Sequence, residues 1–434
     1  MINRACTLIF DEVSLKRNLQ YDSKQDLVHG YADTGYERRN NVANTALLVL
    51  VSGIAKKWIQ PVAFMTGEAG VHSGPLLILK RLIRDLKEFG LFVKALICDQ
   101  GGSNGVVAKT LGISPERPFF TIDGMKVYFI FDPPHLLKCT RNNLQKRNLK
   151  IGTKVVSWEH IKQLYVSTHH LKLKYVPKLT DRHINETPFG NMKVKYAAQV
   201  FSRSVCLAMQ VNELLPTAVD TAEFVERMDV LFDTANSSCV RIRERKMRHA
   251  MSPSTEHVQF LNSCFSWFQS WKFESGCQPR TVRGWQVAVR AIVLLWAELQ
   301  ASFGFQCLLT CNLNQDPLEN LFGIVRQQHG CNETPNAYQF AAGLKHIVVG
   351  KLFKLPNNSN CEQDKSVLLK SLKRPPLSDV AGQSQSTAGT SLDVREHLSV
   401  TDLPSLDVLE ANIVFYMSGY LVHAFLKSKA CYSC

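Results

Sequence analysis

Apolar and polar positions follow a regular order through the first third of the chain. "CTLIFDEVSLKRNLQYD" opens on apolar and β-branched residues, which predicts a strand that runs through a turn into further extended chain. "NVANTALLVLVSGI" and "WIQPVAFMTGE" predict two more strands. In "GPLLILKRLIRDLKEFG", Leu76, Leu79, Leu82, Ile83 and Leu86 recur at helical spacing and a glycine closes the segment, as in an amphipathic helix. "LFVKALICDQGGSNGVVAKTLG" reads as a buried strand, a Gly-rich turn and a helix. "MKVYFIFDPPHLLKCTRNNL" repeats that pattern, with Pro-Pro between strand and short helix.

The order is three strands, helix, strand, helix, strand. It predicts an α/β fold of ribonuclease H-like type, with three antiparallel strands before a parallel pair. A doubly wound nucleotide-binding sheet would alternate strand and helix from the start. "DQGGSNG" lacks both the G-x-G-x-x-G spacing and the lysine of a phosphate-cradling loop. Residues 145–300 then change character. Long amphipathic runs such as "MKVKYAAQVFSRSVCLAMQVNELL" predict a mostly α-helical insertion between the fifth strand and a late helix. The expected organisation is a first core part at 1–144, the insertion at 145–300 and a second core part at 301–354. A Ser-, Gln-, Pro- and Gly-rich flexible linker at 355–405 and a terminal helical segment at 406–434, expected to be truncated, complete it.

Composition changes the picture in one respect. The chain has 434 residues, 45% hydrophobic and 20% charged, which is ordinary for a globular protein. Lys and Arg total 51 against 37 Asp and Glu, a formal charge of +14 that points to a polyanionic partner, nucleic acid ahead of a membrane surface. No secretory signal opens the sequence, and no window is expected to reach the length of a membrane span. The 13 cysteines are odd in number and sit mostly in apolar runs, as reduced core thiols of a nuclear or cytosolic protein do. The closing "CYSC" is half a zinc site at most.

The candidate chemistry lies in separated carboxylates. Asp11 falls in the first predicted strand and Asp99 ends the fourth, and a ribonuclease H-like sheet sets those strands side by side. In "NLNQDPLENLFGIVRQQHG", Asp316 and Glu319 share one face at the start of a helix. Acids there stabilise a helix N-terminus; equally, Glu319 could join Asp11 and Asp99. Three clustered carboxylates repel unless a cation binds, and hard oxygen donors suit Mg²⁺ or Mn²⁺. Two such ions serve in-line displacement at phosphorus. Spacing alone leaves both readings open. Asp132 in "FDPPH" reads as a turn residue before an auxiliary metal group, and His135 as structural.

The set "LIFDEVS", "ICDQGGSN", "FDPPHLLKCTRNNL", "KLTDRHI…FGNMKVKYAAQVFSRSV" and "NQDPLENLFGIVRQQHG" closely resembles the P-element transposase family, including its THAP-domain relatives. The resemblance runs from about residue 5 to 350. It implies a ribonuclease H-like DDE transposase core interrupted by a GTP-binding insertion. The implied catalytic and metal-binding triad is Asp11, Asp99 and Glu319. The implied chemistry is metal-dependent DNA cleavage and strand transfer in the nucleus, by copies assembled on DNA ends with GTP as an assembly cofactor. The implied nucleotide contacts are Lys178, Lys193, Val194 and Ser202, with Phe232 stacking on guanine, Asp233 and Asn236 on its polar edge, and Asp316 on the nucleotide side. Against these stand plain structural roles: Val194 and Phe232 also fit a helix core.

The basic segments "KCTRNNLQKRNLK" (138–150) and "RIRERKMRH" (241–249) could track DNA phosphates or form solvated faces. Family members begin with a zinc finger, and only ten residues precede Asp11 here. The sequence therefore also fits a gene fragment, or a domesticated or decayed non-catalytic DNA- and GTP-binding protein. A ribonuclease H-like nuclease acting on RNA–DNA hybrids is a further reading.

Overall fold

The computed structural model describes residues 1–350 apart from 24–25, 36, 69–73, 171–175, 186, 212–215, 241–246, 275 and 329–331, and beyond them Val367 and Leu368. The expected linker, those two residues apart, and the expected terminal helical segment lie outside the described residues, as does most of the second basic segment.

The first third builds one sheet. Its strands are β1 (Ala5–Ser14), β2 (Gln20–Asp22), β3 (Leu27–His29), β4 (Tyr31–Asp33), β5 (Arg38–Val42), β6 (Thr45–Gly53) and β7 (Trp58–Gly67), then α1 (Gly74–Glu88), β8 (Phe92–Cys98), α2 (Gly102–Thr110), β9 (Phe119–Ile122) and β10 (Met125–Phe131). The β2–β3 hairpin stands apart, and the rest pair in the order β5-β4-β7-β6-β1-β8-β10-β9. β7, β6 and β1 are antiparallel, whereas β1, β8 and β10 run parallel. This is the expected ribonuclease H-like order, with the first strand beside the strand that ends at Asp99. Residues Ala46–Gly53 are buried without interruption, which is how a strand covered on both faces reads in sequence. β9 is an addition to the expected elements. It folds back on β10 through Asp123 and Gly124, both at positive φ, the backbone demanded by a two-residue hairpin turn.

After β10 come α3 (Pro133–Lys146), β11 (Leu149–Ile151), β12 (Lys154–Val156), α4 (Trp158–Thr168), α5 (Asp181–Ile184), α6 (Pro188–Met192), α7 (Val194–Val200), α8 (Arg203–Val211), α9 (Val219–Ala235), α10 (His257–Gln269), β13 (Trp271–Phe273) and α11 (Arg280–Phe303). The insertion is mostly helical, as expected, but it also holds a small sheet ordered β12-β11-β13. Each of those strands has three residues, too few for a period-two pattern, and β13 is contributed from more than a hundred residues downstream. The chain returns to the core through α12 (Asp316–Gln328) and α13 (Ala337–Gly350).

Helix α11 departs from expectation. It spans 24 residues and is apolar and long enough to cross a membrane by length and composition. In this fold its apolar positions are core: Trp285, Ala288, Ile292, Leu295 and Leu299 are buried, and the helix packs against β10, α3 and α10. The Trp285 indole donates to Thr140 Oγ1 at 2.9 Å and stacks on Phe268. Near its other end Glu298 pairs with the buried ammonium of Lys94 on β8 and accepts from the Tyr128 hydroxyl of β10 at 2.8 Å. Burial, then that carboxylate, holds the Tyr128 phenol well above its ordinary range.

The buried pair yields a prediction. Glu298→Ala leaves Lys94 charged and unpartnered inside the protein and lowers stability in urea unfolding by about 3–5 kcal/mol. The double change Lys94→Met with Glu298→Leu recovers most of that loss, because apolar groups of similar volume replace the ions. An equal loss in single and double variants rules the pairing out as the cause.

Candidate active site

The parallel register of β1 and β8 creates the site. Ile9 stands opposite Ile97, so Asp11 and Asp99, each two residues further on, come level on neighbouring strands. Two residues is the side-chain repeat of a strand, so both carboxylates leave on the face shared by Ile9 and Ile97. β10 joins the same line: Phe131 lies opposite Cys98, and the Asp132 amide donates to the Cys98 carbonyl at 2.9 Å.

Each acid has its own surroundings. Asp11 Oδ1 accepts from the Glu12 amide at 2.8 Å. Asp99 Oδ1 accepts from the Gly101 amide at 2.8 Å and from Asn104 Nδ2 at 2.6 Å. A Cβ on Gly101 would lie 2.9 Å from that oxygen, so this glycine lets the chain close over the carboxylate. The Gly-rich loop thus serves an acid rather than a phosphate. Asp132 caps α3: its Oδ2 accepts from the His135 amide at 2.9 Å, as the turn reading anticipated, while its Oδ1 accepts from the Gln315 amide at 2.7 Å. Gln315 Nε2 in turn donates to the Phe10 carbonyl at 3.1 Å. The start of α12 is thereby bonded to the ends of both β1 and β10. Glu319 follows one turn later, while Leu318, Leu321, Phe322 and Val325 are buried in the core.

His135 corrects the sequence reading, which made it structural. From the first turn of α3 its ring reaches between two of the acids, with Nε2 2.7 Å from Glu319 Oε1 and Nδ1 3.7 Å from Asp99 Oδ2. Burial alone disfavours the imidazolium, yet the bonds to Asp99 and Glu319 hold its pKa well above the ordinary histidine value. Burial also opposes ionisation of Asp99, but His135 and the amide donors prevail and keep its pKa below the usual carboxylate range. Asp11 goes the other way: burial first, and Asp99 beside it second, push its pKa up to about 8. The signal available in sequence was "FDPPH", an N-cap acid with proline at the first helical positions, which sets a histidine into the first turn of a helix at the same sheet edge.

The donor chemistry fits a hard divalent cation. Asp11, Asp99 and Glu319 offer carboxylate oxygens at one end of the sheet, and Asp11 has Asp99, His135 and Glu319 as charged neighbours. Among the described residues no three His, Cys, Asp or Glu side chains close into a ready metal cage. His135 stands between Glu319 and Asp99 and pairs with both.

The expected nucleotide residues fall in several places. Phe232 and Asp233 lie half-buried near the end of α9, and Phe232 packs against the hydrophobic core. Val194 opens α7, which packs on α9; Lys193 precedes it with Nζ 5.4 Å from the centre of the Tyr196 ring. Ser202 donates to the Gln199 carbonyl at 2.9 Å, and Lys178 is exposed on the turn before Leu179. Asn236 is buried, and its Oδ1 accepts from Asn314 Nδ2 at 3.1 Å; the same nitrogen donates to Asp316 Oδ2 at 3.0 Å. The structure therefore joins Asn236 to Asp316 through Asn314, a residue the sequence reading did not single out. Lys178 and Ser202 it does not bring into bonds with the others. By residue type the set offers acceptors at Asp233 and Asp316 and an ammonium at Lys193.

Part of the first basic segment is turned inward. Arg141 is buried and donates to the Gly190 and Asn191 carbonyls at 3.2 and 3.1 Å. Arg147 donates to the Cys277 carbonyl, and Lys150 pairs with Glu274 at 3.4 Å.

Comparison with known proteins matches this layout in order. The TNP-like, RNase H N-terminal domain covers residues 2–112, the TNP-like, GTP-binding insertion domain residues 134–248, and the TNP-like, RNase H C-terminal domain residues 311–345. Transposable element P transposase of Drosophila melanogaster is 27% identical over 433 residues, spanning 97% of this chain and 55% of that protein. DNA transposase THAP9 of Homo sapiens is 26% identical over 251 residues, 54% of this chain and 27% of that protein. The chain thus spans about half the length of the first relative and about a quarter of the second. A chain of the Drosophila P element transposase strand transfer complex superposes with a TM-score of 0.74 at 25% identity, covering 81% of this chain and 78% of that one.

The like charges at the strand ends predict a pH effect. Because the folded protein favours neutral Asp11, the stability this group contributes is complete below the ordinary carboxylate range. It is lost as pH rises through about 8. In chelator-treated protein, Asp11→Asn removes that loss, so the variant melts several degrees above wild type at alkaline pH and close to it in acid. Thermal melts across pH measure this; parallel curves for the two proteins contradict it.

Proposed function

Because the chain belongs to the P-element transposase family, with ribonuclease H-like parts on either side of a GTP-binding insertion domain, we propose that it is the catalytic core of a DDE-type DNA transposase. The observation that carries this reading is the level placement of Asp11 and Asp99 on adjacent parallel strands, with Glu319 brought to the same sheet end on α12.

In this reading Asp11, Asp99 and Glu319 hold Mg²⁺ or Mn²⁺. A divalent cation there supplies stabilisation for charge developing on the oxygens at phosphorus as one phosphodiester bond is broken and another made. The chain's own residues do the positioning. The β1–β8 register fixes the two aspartates, Asp132 and Gln315 fix the entry of α12, and His135 pairs with Glu319 beside Asp99. The substrate is DNA: water attacks at the cleavage step, and a 3′-hydroxyl end attacks at the joining step.

GTP serves as the assembly cofactor. Lys193, with Lys178, provides positive charge for its phosphates, and Val194 and Ser202 flank them. Phe232 offers a ring face for the base, and Asp233, Asn236 and Asp316 provide polar contacts. Copies pair on the DNA ends, and action on chromosomal DNA places the protein in the nucleus. The +14 charge supports a DNA partner, although the buried Arg141 is bonded inward and leaves the phosphate contacts to other cations.

The test uses the full chain with Mn²⁺, a pre-cleaved DNA end bearing a 3′-hydroxyl, and a plasmid target, with and without GTP. Joining is expected, it rises with GTP, and Glu319→Ala lowers it by more than the ~10–100-fold typical of losing a residue outside the metal's own ligands. Folded protein that binds GTP and DNA yet joins nothing identifies a binding protein descended from a transposase. Cutting of RNA–DNA hybrids in preference to duplex DNA points to a nuclease instead.

A further inference from the structure

The segment that leads into α12 is bonded on both sides. On one side lies the end of α9. Ser237 N donates to Thr310 Oγ1 at 2.8 Å, and Thr310 N donates to Ser237 Oγ at 3.1 Å. Thr310 Oγ1 also donates to the Thr234 carbonyl at 2.6 Å, and Cys311 N donates to the Ser237 carbonyl at 3.1 Å. Thr234, Ser237 and Thr310 are all fully buried, where bonds of this kind hold position and their loss leaves unpaired groups. On the other side lie the strand ends, reached by Gln315 through Asp132 and the Phe10 carbonyl.

Asn314 and Gln315 stand back to back at the centre of this strap. Asn314 has extended backbone, φ −124° and ψ 177°, which turns successive side chains to opposite sides. Gln315 therefore faces the catalytic strands and Asn314 faces the insertion. The Asn314 amide is engaged at both ends: Nδ2 donates to Asn236 and to Asp316, and Oδ1 accepts from the Asp316 amide at 3.2 Å. Asn314 and Gln315 are 1% and 0% exposed, so neither has water as an alternative partner. Four residues beyond, the Glu319 amide donates to the Gln315 carbonyl at 3.1 Å.

We propose that Asn314 is a positioning residue through which nucleotide bound beside Asn236 and Asp316 sets the seat of Glu319. The inference rests on the reading of those residues as a GTP site. It adds that the site is linked to the catalytic helix by one buried amide. A ligand that draws on the Asp316 carboxylate or shifts the end of α9 changes what Asn314 donates to. The change passes through the adjacent Gln315 to the first turn of α12. Hydrogen-bonded groups that run between two sites are one carrier of such coupling, and the strap from Thr310 to Glu319 supplies them.

The test measures backbone hydrogen exchange of α12 in the full chain, with and without saturating GTP, for wild type and Asn314→Ala. GTP affinity and joining of a pre-cleaved DNA end are measured alongside. In wild type, GTP slows exchange at the first turn of α12 by about tenfold, the size of an ordinary coupling between sites. Asn314→Ala abolishes that response while GTP affinity changes by less than about threefold, and joining at saturating GTP falls by about tenfold with the KM for DNA unchanged. If Asn314→Ala does not fold, Asn314→Ser keeps an oxygen for the Asp316 amide but is too short to reach Asn236, and is expected to uncouple α12 in the same way. Retained GTP protection of α12 in the folded variants overturns the proposal. So does joining that saturating GTP restores fully, since the defect then lies in binding alone. Wild type that joins DNA with GTP but shows no protection keeps the transposase reading and sinks the coupling. Wild type protected by GTP that joins nothing does the reverse.

Discussion

One buried carboxylate holds the candidate site together. Asp132 is 1% exposed at the end of β10, and its two oxygens receive backbone amides from opposite directions, His135 on α3 and Gln315 ahead of α12. Burial pushes its pKa up, but the two amide donors and His135 act against that. The group is thus a junction of three elements that are far apart in sequence. Without it the helix that presents His135 and the helix that presents Glu319 would each lose a fixed starting point. The β1–β8 register aligns two acids without help; the third needs this junction.

The rest of the geometry follows from balancing charge in a confined space. Asp11, Asp99 and Glu319 meet at the sheet end, each of them partly exposed. His135 and amide donors hold the Asp99 pKa down, whereas burial and then Asp99 itself push that of Asp11 up, so the two aspartates separate in opposite directions. α3 ties this end to the insertion as well: His135 stands at its start, and Arg141, two turns on, grips the Gly190 and Asn191 carbonyls just ahead of Lys193.

Much of the core was legible in the sequence because strand order alone sets neighbours. Asp11 and Asp99 could be paired from the order of elements before any coordinates. β9 was within reach, since Asp123-Gly124 is a strong hairpin signal between two apolar runs. The small sheet was not, because three-residue strands carry no period and β13 pairs with residues far upstream. His135 was misread because its role comes from tertiary placement beside Glu319, which local pattern does not encode. The nucleotide residues rested on resemblance throughout. Asn314 was missed for a related reason: an asparagine before a helix reads as a cap, and its bond to Asn236 exists only once the insertion has folded.

The separation of Glu319 from the two aspartates has a consequence in time. A ribosome makes Asp11 and Asp99 early and must add more than two hundred residues before Glu319 appears. Chain closure over such a distance weighs little on final stability, since its entropy grows only with the logarithm of length. It weighs heavily on sequence of events. A nascent chain that has finished its sheet holds two acids and no third, and the strap from Thr310 onward seats only against a completed α9. Assembly order therefore withholds the full carboxylate set from every unfinished chain, so a premature release leaves an incomplete sheet edge.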